Sequence, residues 1–512
     1  MSTQGTDKRR TIPGKLRLFV VTAVLFLIAG MGFDLLVERK LHTLESEIRR
    51  KGEPTTLAEL VAAYPAVPDH ENGALVYLRA VELLDTFGEG SKVDYEAGRI
   101  KRQLEENTYS LETMSHAREH LLKQRPVLEL AEEALGYTRH RYPIDLSELS
   151  DGNWNSDALK GLYNLTNLLW IQGFVALEDG DWDTFFENQR QSYHLALSLE
   201  TMPCEENTRG LAIVRGTRRL LQRAISTGKA PAALYESLAP LYAQIDSDKF
   251  LYFSLLGERQ RATENLMSYY RGDAPPKHEY YAPFRTRWCR RLRWLPGIGG
   301  LGRMEIYNRM KFDTDILDSL NLDWHERYLR AAARQPFVEQ WEFSWRRVVV
   351  NADGTITSRR LNVLDIVSWL LHPEMRGPAY ASHPWFHATD LTGPLAVREF
   401  EHRSVRIAML VETYRQTHGA FPPQLSALDP EAVWKIGVDP FATDLLQYSV
   451  TDGGFLLYSV GDNLIDNGGD RTAGDLVVEF VNEPRVIPEK DPPQKPRARL
   501  RNQKDNRSAP AS

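Results

Sequence analysis

Cysteine is almost absent from this sequence of 512 residues, which has only Cys204 and Cys289. This scarcity excludes a fold held together by a disulfide framework, and it excludes a zinc site made of four thiolates. Two buried thiols are the simpler interpretation of the pair. A single bridge between them is the alternative if the chain faces an oxidising compartment.

The chain also lacks an excess of positive charge. Its formal net charge is −6, so nucleic acid is not expected as its main partner. The hydrophobic fraction of 42% and the charged fraction of 26% are typical of globular proteins, and they argue against a fibrous or largely disordered chain. A length of 512 residues favours two or three domains.

No catalytic arrangement can be recognised from residue spacing. Ser-His-Asp, Cys-His and paired-carboxylate patterns are not evident. The glycine-rich run Gly297–Gly302 follows no predicted strand and lacks the Lys-Ser/Thr pair of a phosphate-binding loop. The sequence therefore favours a non-enzymatic protein.

One long apolar run lies near the N-terminus. Leu18–Phe33 carries no charge, and Leu35–Val37 continues the run past Asp34. This length is near the minimum for a helix that crosses ~30 Å of hydrocarbon. We therefore predict a transmembrane anchor over residues 18–37, preceded by a basic leader over residues 1–17. A cleaved signal peptide is the alternative, but the leader is long and no small-x-small cleavage site follows.

Residues 41–335 have the pattern of an α-helical domain. Apolar residues recur at helical spacing over Asp157–Glu178, Gly180 and Asp181 interrupt the pattern, and a second helix follows from Trp182. This pair resembles one unit of a tetratricopeptide-type array. No fixed 34-residue period repeats across the region, so a general α-helical domain is the broader prediction.

Two stretches beyond this domain have a different composition. Residues 340–392 are predicted to be an irregular connector that contains a short hairpin, with strands at Trp341–Val350 and Gly354–Arg360. Residues 483–512 are basic and rich in proline, and they lack the apolar content of a core. We expect this tail to be disordered.

Residues 393–482 form the last predicted domain. Apolar residues from Val397 to Tyr414 share one helical face, and His418-Gly419 is a plausible helix end. Two strands, Leu445–Val450 and Phe455–Val460, follow on either side of a glycine turn. An acidic, glycine-rich loop then begins at Gly461.

The order of motifs in this last domain resembles the globular domain of the major pseudopilins of type II secretion systems. The resemblance covers residues 395–480 and is carried by separated elements in the family's order: Tyr414-Arg415, His418-Gly419, Phe421-Pro422, Asp439-Pro440-Phe441, Gln447-Tyr448, Leu457–Gly461 and the acidic loop. It implies a helix packed on a small antiparallel sheet.

The resemblance also implies a calcium site, because the acidic loop of that family holds Ca²⁺ through carbonyl and carboxylate oxygens. Carried over by position, the candidate ligands are Asn463, Asp466 and Asp470. Oxygen ligands on flexible glycine hinges suit Ca²⁺, which accepts six to eight oxygens. Asn463 stands where the family has an aspartate, which lowers the charge of the site.

The chain departs from the family in the position of its apolar helix, which lies far upstream of this module instead of directly before it. Filament building through that helix is therefore disfavoured. The whole arrangement is similar to uncharacterised membrane-anchored envelope proteins of planctomycete-type bacteria, which share the stretch Tyr64–Ala74. That second resemblance implies no activity.

The expected orientation of the anchor follows from its flanking charges and from the resemblance to pseudopilins. Equal numbers of basic residues precede and follow the span, and the tighter cluster at Lys8–Arg10 favours a cytoplasmic N-terminus. The exported character of the pseudopilin family agrees with this choice. We expect a single-pass protein of the cytoplasmic (inner) membrane, with the bulk of the chain on the extracytoplasmic side.

Two further clusters allow competing interpretations. His372, Glu374, His383, His387 and Asp390 are close in sequence and suggest a zinc-dependent hydrolase, but the intervening prolines predict a loop with ordinary histidines. The segment Arg285–Lys311 carries eight positive charges and one negative charge, with two tryptophans. It could lie on anionic headgroups, or it could be a solvated linker.

The sequence thus predicts a mainly α protein with a small α+β C-terminal domain. The favoured function is a membrane-anchored, non-enzymatic interaction or scaffold protein with a protein partner in the cell envelope. A component of a type II secretion or pilus-like assembly is the alternative, and a metal-dependent hydrolase is a distant one.

Overall fold

The computed structural model describes residues 14–64, 66–86, 92–105, 109–144, 157–204, 208–271, 298–330, 346–350, 356–360 and 388–481. Over these ranges the chain is mainly helical, with a small antiparallel sheet near its C-terminal end. The helices are α1 (Gly14–Arg50), α2 (Leu57–Ala63), α3 (Gly73–Thr86), α4 (Lys92–Glu105), α5 (Leu111–Lys123), α6 (Arg125–Glu133), α7 (Asp157–Asp179), α8 (Trp182–Ser198), α9 (Thr208–Thr227), α10 (Ala232–Tyr242), α11 (Ser247–Arg271), α12 (Ile298–Ser319), α13 (Ala388–His418) and α14 (Pro430–Ile436). The strands are β1 (Arg346–Val350), β2 (Ile356–Arg360), β3 (Gln447–Thr451), β4 (Gly454–Ser459) and β5 (Leu476–Val481).

Helix α1 changes character along its length. It has 37 residues, so it is about 55 Å long and exceeds the ~30 Å of a bilayer's hydrocarbon core. In its first half the apolar side chains of Leu18, Leu25 and Ile28 are exposed. Further along, Leu44 and Ile48 are buried. Among the described residues, α1 alone is long and apolar enough to cross a membrane.

The second half of α1 packs along α12, which in turn packs on α11. Leu44 and Ile48 share a hydrophobic cluster with Leu266 of α11 and with Ile306 and Met310 of α12. Arg303 of α12 pairs with Glu38 of α1 at 3.5 Å, and further along both helices Asp318 pairs with Lys51. Helix α12 therefore runs parallel to α1. Helix α11 runs the opposite way.

The helical region behaves locally as its sequence predicts. Helix α2 begins after Thr56, whose hydroxyl accepts a hydrogen bond from the Glu59 amide at 3.2 Å. Helix α7 ends at Gly180, which has a φ of +70° that favours glycine, and Asp181 caps α8. The predicted helix–turn–helix is therefore present. Its membership of a repeat array stays a prediction.

The C-terminal helix and sheet share a core with the helical region. Helix α13 packs on α9 and α10, and β5 lies against α9. The strand order is β3-β4-β5, all antiparallel, and Phe455 of β4 pairs with Phe480 of β5. Their rings are stacked 4.8 Å apart. One cluster of buried apolar residues extends from Leu60 to Phe480.

Several details correct or extend the sequence prediction. The described part of the basic segment, residues 298–311, lies in α12 and is helical. Packing against α1 overrides the low helix propensity of its glycines. Strand β5 was not predicted. The hairpin of β1 and β2 is present, with Val350 paired to Ile356.

Other predictions fall outside the described residues. Cys204 is buried, but Cys289 is not among the described residues, so a bridge between the two stays a hypothesis. The leader before Gly14 and the tail from residue 482 also lie outside the described residues. The proposed domain limits stay predictions.

Candidate functional site

The acidic loop connects β4 to β5 and contains all three candidate calcium ligands. Four glycines in it have positive φ angles, and so does Leu464, at 59°. A leucine in the left-handed region is uncommon, because its Cβ crowds the backbone there. The loop is therefore tightly folded and its conformation is imposed by its internal hydrogen bonds.

Each candidate ligand caps a local turn. The Asn463 Oδ1 accepts a hydrogen bond from the Ile465 amide at 2.9 Å, and the Asp466 Oδ1 accepts one from the Gly468 amide at 2.8 Å. The Asp470 Oδ1 accepts from the amide and hydroxyl of Thr472, at 2.8 and 2.7 Å. These bonds hold the pKa of Asp470 below its usual value.

A fourth acidic residue, Asp475, organises the loop from within. It is only 3% exposed, and its carboxylate accepts hydrogen bonds from the amides of Asn467 at 3.1 Å and Gly469 at 2.7 Å. Sequence reasoning missed Asp475 because it follows the glycine-rich run and directly precedes an unpredicted strand. Folding places Asp475 beside the interior of the loop, and the spacing of Asp475 in the sequence does not predict this position.

Three oxygens of the loop converge on one nitrogen. The Asn467 Nδ2 donates to the carbonyls of Ile465 at 2.9 Å and Ala473 at 3.2 Å, and it lies 3.3 Å from the Asp475 Oδ1. The Asn463 Nδ2 also donates to the Ala473 carbonyl, at 2.8 Å. These bonds orient both side-chain amides with their nitrogens, which do not bind Ca²⁺, toward the carbonyl oxygens.

The described residues contain no group of three or more His, Cys, Asp and Glu side chains arranged to hold a metal ion. The loop's fit to calcium therefore depends on carbonyl and amide oxygens around Asp475. Asp466 and Asp470 are directed into their own turns. Calcium binding stays a prediction.

The other motif residues of the C-terminal module hold that module together. Asp439, which is 2% exposed, accepts hydrogen bonds from the Ser459 hydroxyl at 2.7 Å and the Phe441 amide at 2.9 Å through Oδ1, and from the Val460 amide at 3.1 Å through Oδ2. The Tyr448 hydroxyl donates to the Pro422 carbonyl at 3.0 Å. The motifs that carry the family resemblance are thus packing and hydrogen-bonding positions.

The stretch Tyr64–Ala74 also has a structural role. The Asn72 side chain pairs with the backbone of Arg141, accepting from its amide and donating to its carbonyl, both at 2.8 Å. The Arg141 guanidinium lies 4.3 Å from the Tyr64 ring centre. Asn72 therefore fastens the start of α3 to the segment that precedes α7.

A cluster of histidines and a tyrosine lies beside the contact between Asn72 and Arg141. The His194 Nδ1 is 2.7 Å from the Tyr77 hydroxyl, and the His194 Nε2 is 2.8 Å from the Tyr137 carbonyl. A carbonyl cannot donate, so the Nε2 carries the hydrogen and the Nδ1 accepts from Tyr77. Burial lowers the pKa of the neighbouring His140 to about 4. Because Tyr77 is fully buried, this cluster belongs to the core.

The histidine-rich cluster is outside the described residues, apart from the backbone of Asp390. That residue lies in the first turn of α13. His372, Glu374, His383 and His387 are not described, and a zinc site there stays a hypothesis.

Comparison of the chain with protein-family models, curated proteins and solved structures found no match. Inference about function therefore depends on the residues themselves and on the resemblance of their motifs.

Proposed function

We propose that the protein is a membrane-anchored interaction or scaffold protein of the cell envelope, with its folded body held rigidly at the surface of the cytoplasmic membrane. The observation that carries this proposal is the continuity of α1. The helix passes without interruption from its exposed apolar half to the half that packs along α12. A flexible linker would let the body drift from the membrane, whereas a packed helix fixes its distance and tilt.

A buried ionic network supports the same proposal at the point where α1 ends. Arg259 of α11 is 0% exposed and donates to Glu53 at 2.7 Å, to the Pro54 carbonyl at 2.9 Å and to Thr314 at 3.2 Å. The Gln260 side-chain Nε2 also donates to the Pro54 carbonyl, at 2.7 Å. A buried ion pair resists rearrangement, because breaking it leaves a buried charge unpaired. The chain that leaves α1 is thus fixed to α11 and α12.

The body also presents apolar side chains that a partner could cover. In the C-terminal module, Trp434 of α14 is 54% exposed and Ile465 of the acidic loop is 60% exposed. Exposed aromatic and branched aliphatic residues are frequent anchors of protein interfaces. They support an interaction role without specifying the partner.

Photo-crosslinking in native membranes tests this role. A photoreactive amino acid would replace Trp434 or Ile465 in the full chain, and a matched control would replace Glu129, an exposed residue of α6. We expect a discrete crosslinked protein from the first two positions and none from the control. Absence of any specific adduct at both positions would contradict an interaction role for the module.

The alternative function is a component of a type II secretion or pilus-like assembly. The motif order over residues 395–480 supports it, whereas the long separation between the module and the apolar helix does not. A pseudopilin or another secretion subunit in the crosslinked adduct would favour this alternative over an independent scaffold.

The distant alternative is a metal-dependent hydrolase. Its candidate ligands lie in the sequence cluster around His383 and His387. One equivalent of zinc in the purified protein, lost in a His383→Ala, His387→Ala double variant, is the result that would support it.

Calcium binding by the acidic loop is a further part of the proposal. The thermal unfolding temperature of the full chain should be higher in excess calcium than in chelator, because a ligand that binds only the native state stabilises it. The difference should shrink in Asp466→Asn and Asp470→Asn, and it should persist in Asp452→Asn, a control in the β3–β4 turn. Equal unfolding temperatures in calcium and chelator would contradict a functional site.

A further inference from the structure

A narrow cleft lies between α9 and α13 and is lined by four basic side chains, four apolar side chains and one serine. Its polar lining consists of Arg215 and Arg218 from α9, Arg398 and His402 from α13, and Ser247 from the start of α11. Its volume is about 320 Å³, including space open to solvent, and its enclosed part has room for about one water molecule. The cleft is therefore narrow, and a ligand larger than water would lie partly in its open part.

The positive charge of this cleft is only partly balanced. Arg218 is 4% exposed, and it pairs with Glu401 and donates to the Arg398 carbonyl at 3.1 Å. Within the part of the chain that the structure describes, the guanidinium groups of Arg215 and Arg398 have no ion-pair or hydrogen-bond partner, and no carboxylate lines the cleft. Three guanidinium groups thus surround a space that has two carboxylates nearby, Glu401 on Arg218 and Glu399, which accepts a hydrogen bond from Ser247 at 3.4 Å.

The repulsion among these arginines affects their titration. Burial, together with the neighbouring charge of Arg215, lowers the pKa of Arg398. Burial also lowers the pKa of Arg218, although Glu401 opposes the effect. An anion between these groups would relieve this unfavourable interaction, because each guanidinium offers N–H donors in a planar fork that matches an oxyanion.

His402 adds an acceptor to this set of donors. Its Nε2 is 3.1 Å from the Tyr242 carbonyl, so the Nε2 carries the hydrogen and donates to that carbonyl. Its Nδ1 is buried and has no hydrogen-bond partner among the described residues. Burial lowers the pKa of His402 to about 4, so the ring is neutral at pH 7 and the Nδ1 is a bare acceptor.

We propose that this cleft binds a small oxyanion that retains a proton, for which hydrogen phosphate is the representative chemistry. Arg215 and Arg398 would supply donors to the charged oxygens, and the His402 Nδ1 would accept the hydrogen bond of the P–OH group. A fully ionised oxyanion such as sulfate has no proton to offer this nitrogen. The site should therefore distinguish phosphate from sulfate, which have the same shape and size.

Such an anion would join two parts of the molecule. Its arginine ligands would come from α9, in the helical region, and from α13, which begins the C-terminal module. Binding would therefore stabilise the packing of α13 against α9. The free phosphate ion and a terminal phosphate group share this chemistry, and the experiment uses the free ion.

Thermal unfolding of the full chain in detergent tests the proposal, with sodium phosphate or sodium sulfate added at constant ionic strength and pH 7. We expect a saturable rise of the unfolding temperature with phosphate and a clearly smaller rise with sulfate. Arg215→Gln and Arg398→Gln should need at least tenfold more phosphate for the same rise. Arg219→Gln should behave like the unmodified protein, because Arg219 is exposed on the same helix and does not line the cleft.

These variants are expected to fold, since each removes an unpaired charge from a repelling set. In the absence of phosphate, Arg398→Gln should be at least as stable as the unmodified protein. A phosphate effect of equal size in Arg398→Gln and Arg219→Gln would overturn the site, and so would the lack of any saturable effect. Equal effects of phosphate and sulfate would overturn the role of the His402 Nδ1.

Discussion

Asp439 illustrates how a single buried carboxylate stabilises the C-terminal module. It lies just after α14 and contacts the end of β4, so it ties the Asp-Pro-Phe turn to the sheet. Burial raises the pKa of this carboxyl group, while the three donors favour its ionised form. Its removal would leave a hydroxyl and two backbone amides without an acceptor.

The first prediction concerns this residue. Asp439→Ala should lower the free energy of unfolding by about 2–4 kcal/mol, because buried donors lose a charged acceptor. Chemical denaturation of the full chain measures the change. Asp452→Asn, in the β3–β4 turn, is the control and should change stability by less than about 0.5 kcal/mol. Similar values for the two variants would contradict the assigned role.

Two histidines, His402 buried and His140 half-buried, predict a dependence of stability on pH. The pKa values of His140 and His402 are lowered to about 4, mainly by burial. In the unfolded chain a histidine has a pKa of about 6.5. Their contribution to stability is therefore present above about pH 6.5 and is lost as the pH falls toward 4, because the unfolded state then binds more protons.

The second prediction follows from this window. Between pH 7 and pH 4.5 the free energy of unfolding should fall, and each of these histidines should contribute on the order of 2 kcal/mol. His140→Gln should flatten the pH profile, whereas His70→Gln, at an exposed position with an 81% exposed side chain, should not. A profile that is the same in both variants would refute the contribution of His140.

At the scale of elements, the sequence predicts helices well where local chemistry sets their ends. Thr56 before α2 and the Gly180-Asp181 turn between α7 and α8 are examples, since capping and positive φ depend on nearby residues. At the start of α12 the glycines disfavour a helix, and contact with α1 decides the structure there. Strand β5 was missed because its pairing with β4 is established only by folding.

The candidate sites also depend on contacts that only folding creates. The acidic loop was located from its composition, but its organising residue, Asp475, was not. The cleft between α9 and α13 combines Arg215 with Arg398, which are far apart in sequence. No spacing rule relates such residues, so only the packing of the helices brings them together.

The third prediction concerns the contact of α1 with the body. Ile48 is fully buried against α11 and α12, so Ile48→Ala should lower the free energy of unfolding by about 2–4 kcal/mol. Leu36, on the same helix, is 53% exposed, and Leu36→Ala is the matched control with little expected effect on the body. The two variants should therefore differ in denaturation midpoint. Equal midpoints would contradict packing of α1 into the body.

At the scale of the whole molecule, the parallel contact of α1 and α12 would set, in the proposed arrangement, which end of the body meets the membrane. Arg303 pairs with Glu38, directly after the predicted span, and Lys40 lies 6.0 Å from the Tyr307 ring. The start of α12 is therefore close to the end of the apolar run. In the proposed arrangement, these positive charges lie at the level of the lipid headgroups.

The direct test of this account is extraction of membranes at alkaline pH, combined with the intact mass of the protein. We predict that the full chain stays in the membrane pellet with its N-terminal segment uncleaved. Leu25→Arg with Ile28→Arg should release it, since each arginine in a span costs about 2.5–3.5 kcal/mol, whereas Leu25→Ala with Ile28→Ala should not. Release of the unmodified protein, or a mature chain that lacks the apolar segment, would contradict the account.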